Sequence, residues 1–450
     1  MRKLELRYLT SVAGMLALTA LANTASAEPP LSTRVTPSDG ESGDHFGFAV
    51  AVRGNTAVVG APGDGDAGAL SGSAYVYVWQ NEAWVLQAKL VAADSSPNAS
   101  FGQSVDVDGD TIVVGAPYAN ATNGAQSGAA YVFARSGTSW TQQAKLSPAD
   151  GTALDFFGSV ISLSGNIVLA GAPYADVFGA DSGAAYLYGK SGTVWSQISQ
   201  IAPNDGRSND LFGSAVSLRG TTAAIGAPND DDNAIASGSA YIYARLGSNW
   251  LIEQKLRPTD GANGDLFSNA LSLDGDNVLI GAPERDDQGL AVGAAYVFSR
   301  SSGVWAQRAQ LHAVDGLPGD FFGAAVALSS GVALVSSFLN DEGAEDAGAV
   351  YAYARTAAGG WQNHSKYRVA DPAAEDSFGA AVALDGGLAV IGADQRDDRA
   401  PNAGAMFPKL VSAPADVPAS GNGSLVPLFA LALLGVGLRR SRGLRWAQVR

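Results

Sequence analysis

The 450-residue chain contains no cysteine, which removes disulfide scaffolds, thiolate metal sites and cysteine nucleophiles in one step. Histidine is nearly as scarce. The three present, His45, His312 and His364, lie far apart in sequence and form no metal-ligand or acid–base pair by spacing. Charged residues make up only 16% of the chain, and the balance is acidic, with a net charge of −15. Both ends are net positive, from Arg2, Lys3 and Arg7 against Glu5 and from five C-terminal arginines without acids, so the body between them is more acidic still, and such a surface repels phosphate backbones. Nucleic-acid binding is therefore excluded as an expectation. No HExxH, P-loop or nucleophile elbow occurs. Abundant instead are glycine, at 55 residues, and apolar residues, at 46%, a composition of many turns around a large core.

The two ends read as targeting segments. Residues 1–27 begin with Arg2, Lys3 and Arg7, continue as an apolar run from Val12 to Ala22, and end at the small-residue site Ala25-Ser26-Ala27. That order is a secretory signal and implies export through the Sec pathway. At the other end, a polar linker (411–424) precedes residues 425–450, an apolar stretch from Leu425 to Leu438 closed by Arg439, Arg440, Arg442, Arg445 and Arg450. The apolar stretch is shorter than the roughly 20 residues of a bilayer-spanning helix. A transient transmembrane helix stopped by basic residues is expected rather than a permanent anchor. This tail resembles the PEP-CTERM and GlyGly-CTERM sorting segments, with Asn422-Gly423-Ser424 in place of the small-residue motif. The resemblance implies removal of the tail and delivery to the cell surface or beyond.

Between the ends, residues 28–410 repeat one unit seven times. Phenylalanine recurs at positions 46, 101, 157, 212, 267, 322 and 378, followed by glycine in every unit except at Ser268. Gly-Ala-Pro follows, as at Gly60-Ala61-Pro62 and Gly226-Ala227-Pro228, and drifts to Ser336-Ser337-Phe338 and Gly392-Ala393-Asp394 in the last two units. A Gly-x-Ala-Tyr run and a tryptophan (Trp84, Trp140, Trp195, Trp250, Trp305, Trp361) complete the unit. Each holds four short apolar runs, A to D, separated by turn residues, which predicts a four-stranded antiparallel meander. A repeat of this length with four strands predicts an all-β, seven-bladed β-propeller. The seventh unit lacks its D run, whereas Leu31 to Asp39 near the N-terminus matches the D end of other units, such as Lys145-Leu146-Ser147-Pro148-Ala149-Asp150. The N-terminal strand is therefore expected to complete the last blade. The tryptophans are expected to pack between blades.

Phe-Gly followed by Gly-Ala-Pro resembles the FG-GAP repeat of integrin α-type propellers, over nearly the whole mature chain. The resemblance implies a surface interaction or adhesion module without catalytic activity, acting as a monomer on a protein or glycan at the cell surface. Family members often hold calcium in a DxDxDGxxD loop between strands A and B. Here that connection is a tight turn, such as Asp108-Gly109-Asp110, too short to supply six to eight oxygens.

In such a meander the B–C and D–A loops share one face. That face collects acids: Asp64 and Asp66, Asp176 and Asp181, Asp230, Asp231 and Asp232, Glu284, Asp286 and Asp287, Asp341 and Glu342. They are the expected ligand or partner face, and Asp230, Asp231, Asp232, Asp286 and Asp287 are candidate calcium ligands. No other cofactor is expected. The D–A loops add aspartate pairs five apart, from Asp39/Asp44 to Asp371/Asp376, which read either as caps of nearby N–H groups or as cation ligands. Two other readings stay open. An extracellular polysaccharide-active enzyme could use carboxylates of neighbouring loops, and a lectin would need solvent-facing tryptophans.

Overall fold

The computed structural model describes residues 28–121 and 124–411, and every regular element in them is a β-strand. The signal, the linker beyond Val411 and the sorting tail lie outside the described residues. The described strands form seven sheets in chain order, six of four strands and a last one of three. Within blade 1, strand A (Ala49–Arg53), B (Thr56–Ala61), C (Ser73–Gln80) and D (Ala83–Leu90) pair antiparallel with their neighbours in sequence. Blades 2 to 7 begin at residues 104, 161, 215, 270, 326 and 382. The A–B turns are as tight as their Gly-Asn and Gly-Asp pairs suggest. Gly54, Gly109, Gly165 and Gly220 all sit at φ of 57–58° in open space, the left-handed geometry that two-residue hairpins require.

The core lies between blades. Blade 1 contributes Val58, Val76 and Leu90 to a cluster with Phe101, Ile112, Val114 and Tyr131 of blade 2, and the pattern repeats around the ring. Each repeated phenylalanine is fully buried and meets the C-strand aromatics edge-on. Phe46 lies 5.3 Å from Tyr75 and Phe212 lies 5.3 Å from Tyr241, contacts worth about 0.5–1.5 kcal/mol beyond area alone. The glycines of the two repeated motifs face each other across a blade junction. A Cβ on Gly60 would collide with the carbonyl of Gly102, and one on Gly392 with that of Gly47. The motif is thus the contact by which one blade docks on the next, and blade 7 docks on blade 1 in the same way.

The N-terminal segment completes blade 7. Val35 N–H donates to Met406 O (2.8 Å) and Met406 N–H to Val35 O (3.0 Å), in the place where Leu90 pairs with Ala74 in blade 1. The pairing is a single bridge rather than a full strand. Arg34, paired with Asp371 and Asp398, and Arg399, bonded to Thr36 and Ser38, hold the rest.

Candidate interaction faces

Two layers of carboxylate chemistry build the face formed by the B–C and D–A loops. The second aspartate of each D–A pair is buried and accepts the N–H three residues before it. Asp44 caps Glu41 (2.7 Å), Asp210 caps Arg207 (2.7 Å) and Asp320 caps Leu317 (2.9 Å). The reading of these residues as caps therefore describes their geometry. Burial pushes the carboxyls of Asp44, Asp155, Asp320 and Asp376 above the ordinary carboxylate range, and Asp210 up to about 6, the capped N–H offsetting only part of the effect.

The first aspartate of each pair except Asp150 belongs to an ion cluster that sequence spacing did not reveal. In blade 4, the Lys255 ammonium lies 2.9 Å from Asp205, 2.7 Å from Asp230 and 2.6 Å from Asp232. Lys89 holds Asp39, Asp64 and Asp66 identically in blade 1. Burial alone would raise Asp64 and Asp230, but these ammonium groups, with the loop N–H and serine donors, hold both below the usual range. In blade 5 the cation moves from the D strand to the B–C loop, and in blade 7 an arginine of the B–C loop joins Arg34, which stands at the D-strand position. Arg285 reaches Asp260 and Asp265, and Arg396 reaches Asp371, Asp376 and Asp398. Lys145 pairs with Asp94, and Lys366 with Asp315 and Glu342. Blade 3 alone has no cation in this place: Gln200 stands there, bonded to Tyr186.

The candidate calcium ligands accordingly divide. Asp230 and Asp232 share the Lys255 ammonium, while Asp231 accepts Ala236 N–H (2.7 Å) as a loop cap. Asp286 caps Ala291 N–H in the same manner, and Asp287 faces Gln310 and Arg285. Asp176 and Asp341 cap Asp181 and Asp346. Each capped residue has positive φ, from Asp181 (54°) to Ala236 (50°), a conformation that costs a non-glycine residue about 1 kcal/mol. Among the described residues no group of three or more acidic or histidine side chains is arranged to hold a metal. The set around Asp230 does not fit calcium, because an ammonium already occupies the point on which its carboxylates converge. Glu284 carries no ion pair.

Where the ion clusters lapse, aromatics appear. Tyr118 and Tyr174 flank Phe156 edge-on at 5.1 and 5.2 Å, and both tyrosines are exposed. Leu154, Val177 and Phe178, on the same two loops as Phe156 and Tyr174, are exposed as well. Among the described residues, Asp150, Asp176 and Asp181 of blade 3 have no cationic partner. The signal for this patch was visible in sequence as Tyr118 and Tyr174 in the Gly-Ala-Pro-Tyr copies, but its meaning depends on the neighbours the fold supplies.

The opposite face and the channel are closed by clasps between A strands. Asp108 accepts Gly165 N–H, Asp274 accepts Ser330 N–H and Asp385 accepts Gly54 N–H, each at 2.7 Å, and Ser164 and Ser329 do the same for Gly220 and Gly386. The C–D arginines are partly neutralised, Arg135 by Asp110 and Arg300 by Asp276 and Glu253. The central channel encloses about 220 Å³ and is lined by A-strand residues, including Arg53, Asp106, Ser162 and Arg219. Trp195, Trp250 and Trp305 are buried between blades, so a sugar site built on exposed tryptophans finds none at these three.

This arrangement defines a closed, seven-bladed β-propeller made of one repeating unit. The FG-GAP repeat matches seven times, at residues 31–77, 84–133, 140–188, 195–243, 250–298, 305–353 and 361–407, and the chain belongs to the FG-GAP repeat family. Each matched stretch from the second onward starts at a D strand and ends in the next C strand, so the unit of sequence bridges two blades. Among solved structures, a chain of the "Crystal Structure of Mitotic Checkpoint Complex" is similar, with a TM-score of 0.53 and 12% identity over 91% of this chain and 99% of that chain. That likeness shows the fold alone. No curated protein matches the chain.

Proposed function

We propose that this protein is a secreted or surface-displayed interaction module, without catalytic activity of its own, whose B–C and D–A face engages a protein or glycan of the cell surface. The observation that carries the reading is the break in symmetry at blade 3. Six blades set a lysine or arginine against the first aspartate of the D–A loop, whereas blade 3 has Gln200 at that position and, among the described residues, leaves Asp150 without a cation, with Asp176 and Asp181 of the same blade likewise unpaired. Exposed Tyr174 lies two residues before Asp176, and exposed Phe178 lies two after it and three before Asp181. A rigid ring with one patch of unpaired charge and exposed aromatic area suits recognition better than chemistry. The N-terminal signal and the sorting tail support display outside the cell, and the acidity of the body argues against nucleic-acid partners.

The test is affinity capture from the producing organism's envelope fraction by wild type and by a Tyr174→Ser, Asp176→Asn, Asp181→Asn variant, in calcium and in chelator. A partner held by wild type in both buffers and lost with the variant is the expected result. Equal capture by both proteins would remove blade 3 from the reading. Turnover of a polysaccharide by the purified chain would replace it with the enzyme alternative.

A further inference from the structure

The outer rim of the molecule carries a second break in symmetry, in the groove between blades 3 and 4. In each groove, the D-strand tryptophan of one blade faces the D strand of the preceding blade. Between blades 4 and 5, Glu253 accepts the Trp305 indole N–H (3.2 Å) and an Arg300 guanidinium N–H (3.0 Å), and Arg300 also pairs with Asp276 (2.6 Å). Between blades 1 and 2, Gln87 accepts the Trp140 indole N–H (2.8 Å) and Arg135 pairs with Asp110 (2.6 Å). Between blades 3 and 4, Ile198 stands in the position of Glu253 and Gln87, and Thr221 in that of Asp276 and Asp110.

Two donors are thereby left facing an apolar wall. Trp250 is only 8% exposed, and its indole N–H has no partner. Arg245 is exposed and has no carboxylate in ion-pair range, its Nε donating to the Gly247 carbonyl. Beside them Ile198 and Ile252 are 41% and 55% exposed. Ile252 replaces the glutamine that in blades 2, 3 and 5 accepts a loop N–H from the preceding blade. Trp84 and Trp195 also have unpartnered indole N–H groups, but Gln143 stands at the position facing Trp195 and Gln197 keeps the loop contact there. A buried donor without a partner is destabilising, and an incoming acceptor relieves that cost.

We propose that the groove between blades 3 and 4 is a docking slot for an Asp or Glu carboxylate flanked by apolar residues in an extended partner polypeptide. The carboxylate takes the place that Glu253 holds one groove further on, pairing with Arg245 and, as Ile198 turns aside, accepting from Trp250 Nε1, which is buried in the free protein. The flanking side chains cover Ile198 and Ile252. The choice of an acidic partner follows from charge complementarity to Arg245. The slot lies on the rim and stands independently of the blade 3 face.

The experiment uses the full chain with ¹⁵N-labelled tryptophan, the Trp250 indole resonance being assigned by Trp250→Phe. Capped Val-Glu-Val and Val-Gln-Val peptides are titrated in turn. The expected result is a saturable shift of the Trp250 resonance by the glutamate peptide, at least tenfold weaker for the glutamine peptide and for Arg245→Gln. Ile198→Glu, which supplies the carboxylate from within at an exposed position, is expected to shift the resonance without peptide and to weaken peptide binding at least tenfold. No shift by either peptide, or unchanged binding by Ile198→Glu, overturns the proposal. So does a shift that follows protein concentration alone, which would assign the groove to a second copy of the chain.

Discussion

At the scale of single residues, Asp106 shows how one position in a repeated ring acquires distinct chemistry. Serine stands at the equivalent A-strand positions of blades 3 to 5, where Ser162, Ser217 and Ser272 each accept an N–H from the following blade at 3.0–3.1 Å. Asp106 does the same for Leu163 (2.6 Å) but places a carboxylate beside the channel. Burial pushes its pKa from 3.8 up to about 6, against the pull of its N–H donors and Arg53. The folded state therefore binds a proton that the unfolded state has released between pH ~4 and ~6. Stability from this group is highest below that window and falls as pH rises through it. Asp106→Ser keeps the clasp without the charge, and is expected to raise stability at pH 7 by about 1–3 kcal/mol, with no gain below pH 4. Thermal unfolding across pH 3.5–7.5 measures both. A variant no more stable than wild type at pH 7 would mean that channel solvent hydrates the carboxylate.

Lys255 makes the complementary case. It neutralises Asp205, Asp230 and Asp232, none of them nearer than 23 residues in sequence. Lys255→Met is expected to cost about 3–5 kcal/mol, because removing one partner of a buried pair strands the other. Wild type is expected to show the same unfolding temperature in calcium and in chelator. A calcium-dependent rise would show that the ion displaces the ammonium. The acids of this cluster were plain in the sequence, but their partner was not. Lys255 lies 50 residues from Asp205 and 25 from Asp230, and only the meander brings D strand, B–C loop and D–A loop together. An acidic face read from composition was therefore a face of ion pairs and loop caps, and among the described residues blade 3 is the blade whose D–A aspartate lacks the cation.

At the scale of the element, the repeated motif separates two kinds of glycine. Gly109 occupies an A–B turn with φ of 58° and open space around it. Gly102 combines φ of 98° with a position where a Cβ would strike the Ser73 carbonyl. Gly109→Ala is expected to cost about 1 kcal/mol, the ordinary left-handed penalty. Gly102→Ala is expected to cost more than about 3 kcal/mol, since backbone of two blades must part. Chemical denaturation of the two variants tests the difference. Equal costs would show that the junction yields. Ser268 shows how the chain itself meets this constraint, at φ of 78° with its hydroxyl donating to Ser239 O (2.7 Å) and accepting Ala227 N–H.

The strands, turns and blade number were legible because each rests on local chemistry repeated seven times: period-two apolar runs, glycine turns and a fixed spacing. The Trp packing and the aspartate caps followed for the same reason. What stayed hidden was whatever joins one repeat to the next. The Tyr118–Phe156–Tyr174 cluster draws on two blades, and the Glu253 bond to Trp305 crosses a groove. Such pairs are set by the rotation between blades, for which a linear sequence has no local signal.

At the scale of the whole molecule, the ring gains its stability by closing, because each blade buries its apolar faces only against neighbours. Six junctions are continuous in sequence, and the one between blades 7 and 1 joins the two ends of the described chain. It reuses the standard contacts, with Gly392 on Gly47 and Gly54 N–H on Asp385, and adds His45 against Asp394 at 3.3 Å. It also depends on Val35, whose two backbone bonds to Met406 provide what remains of the missing fourth strand. Val35→Pro removes the donor to Met406 O while leaving an apolar side chain, and should cost about 2–4 kcal/mol. The loss should appear first as faster amide exchange at Met406 and Gly392, before global unfolding. If exchange there stays at the wild-type rate, the junction between blades 7 and 1 closes the ring unaided and the N-terminal segment merely covers an edge. If exchange accelerates in all blades together, the segment is the latch on which the cooperative unit depends.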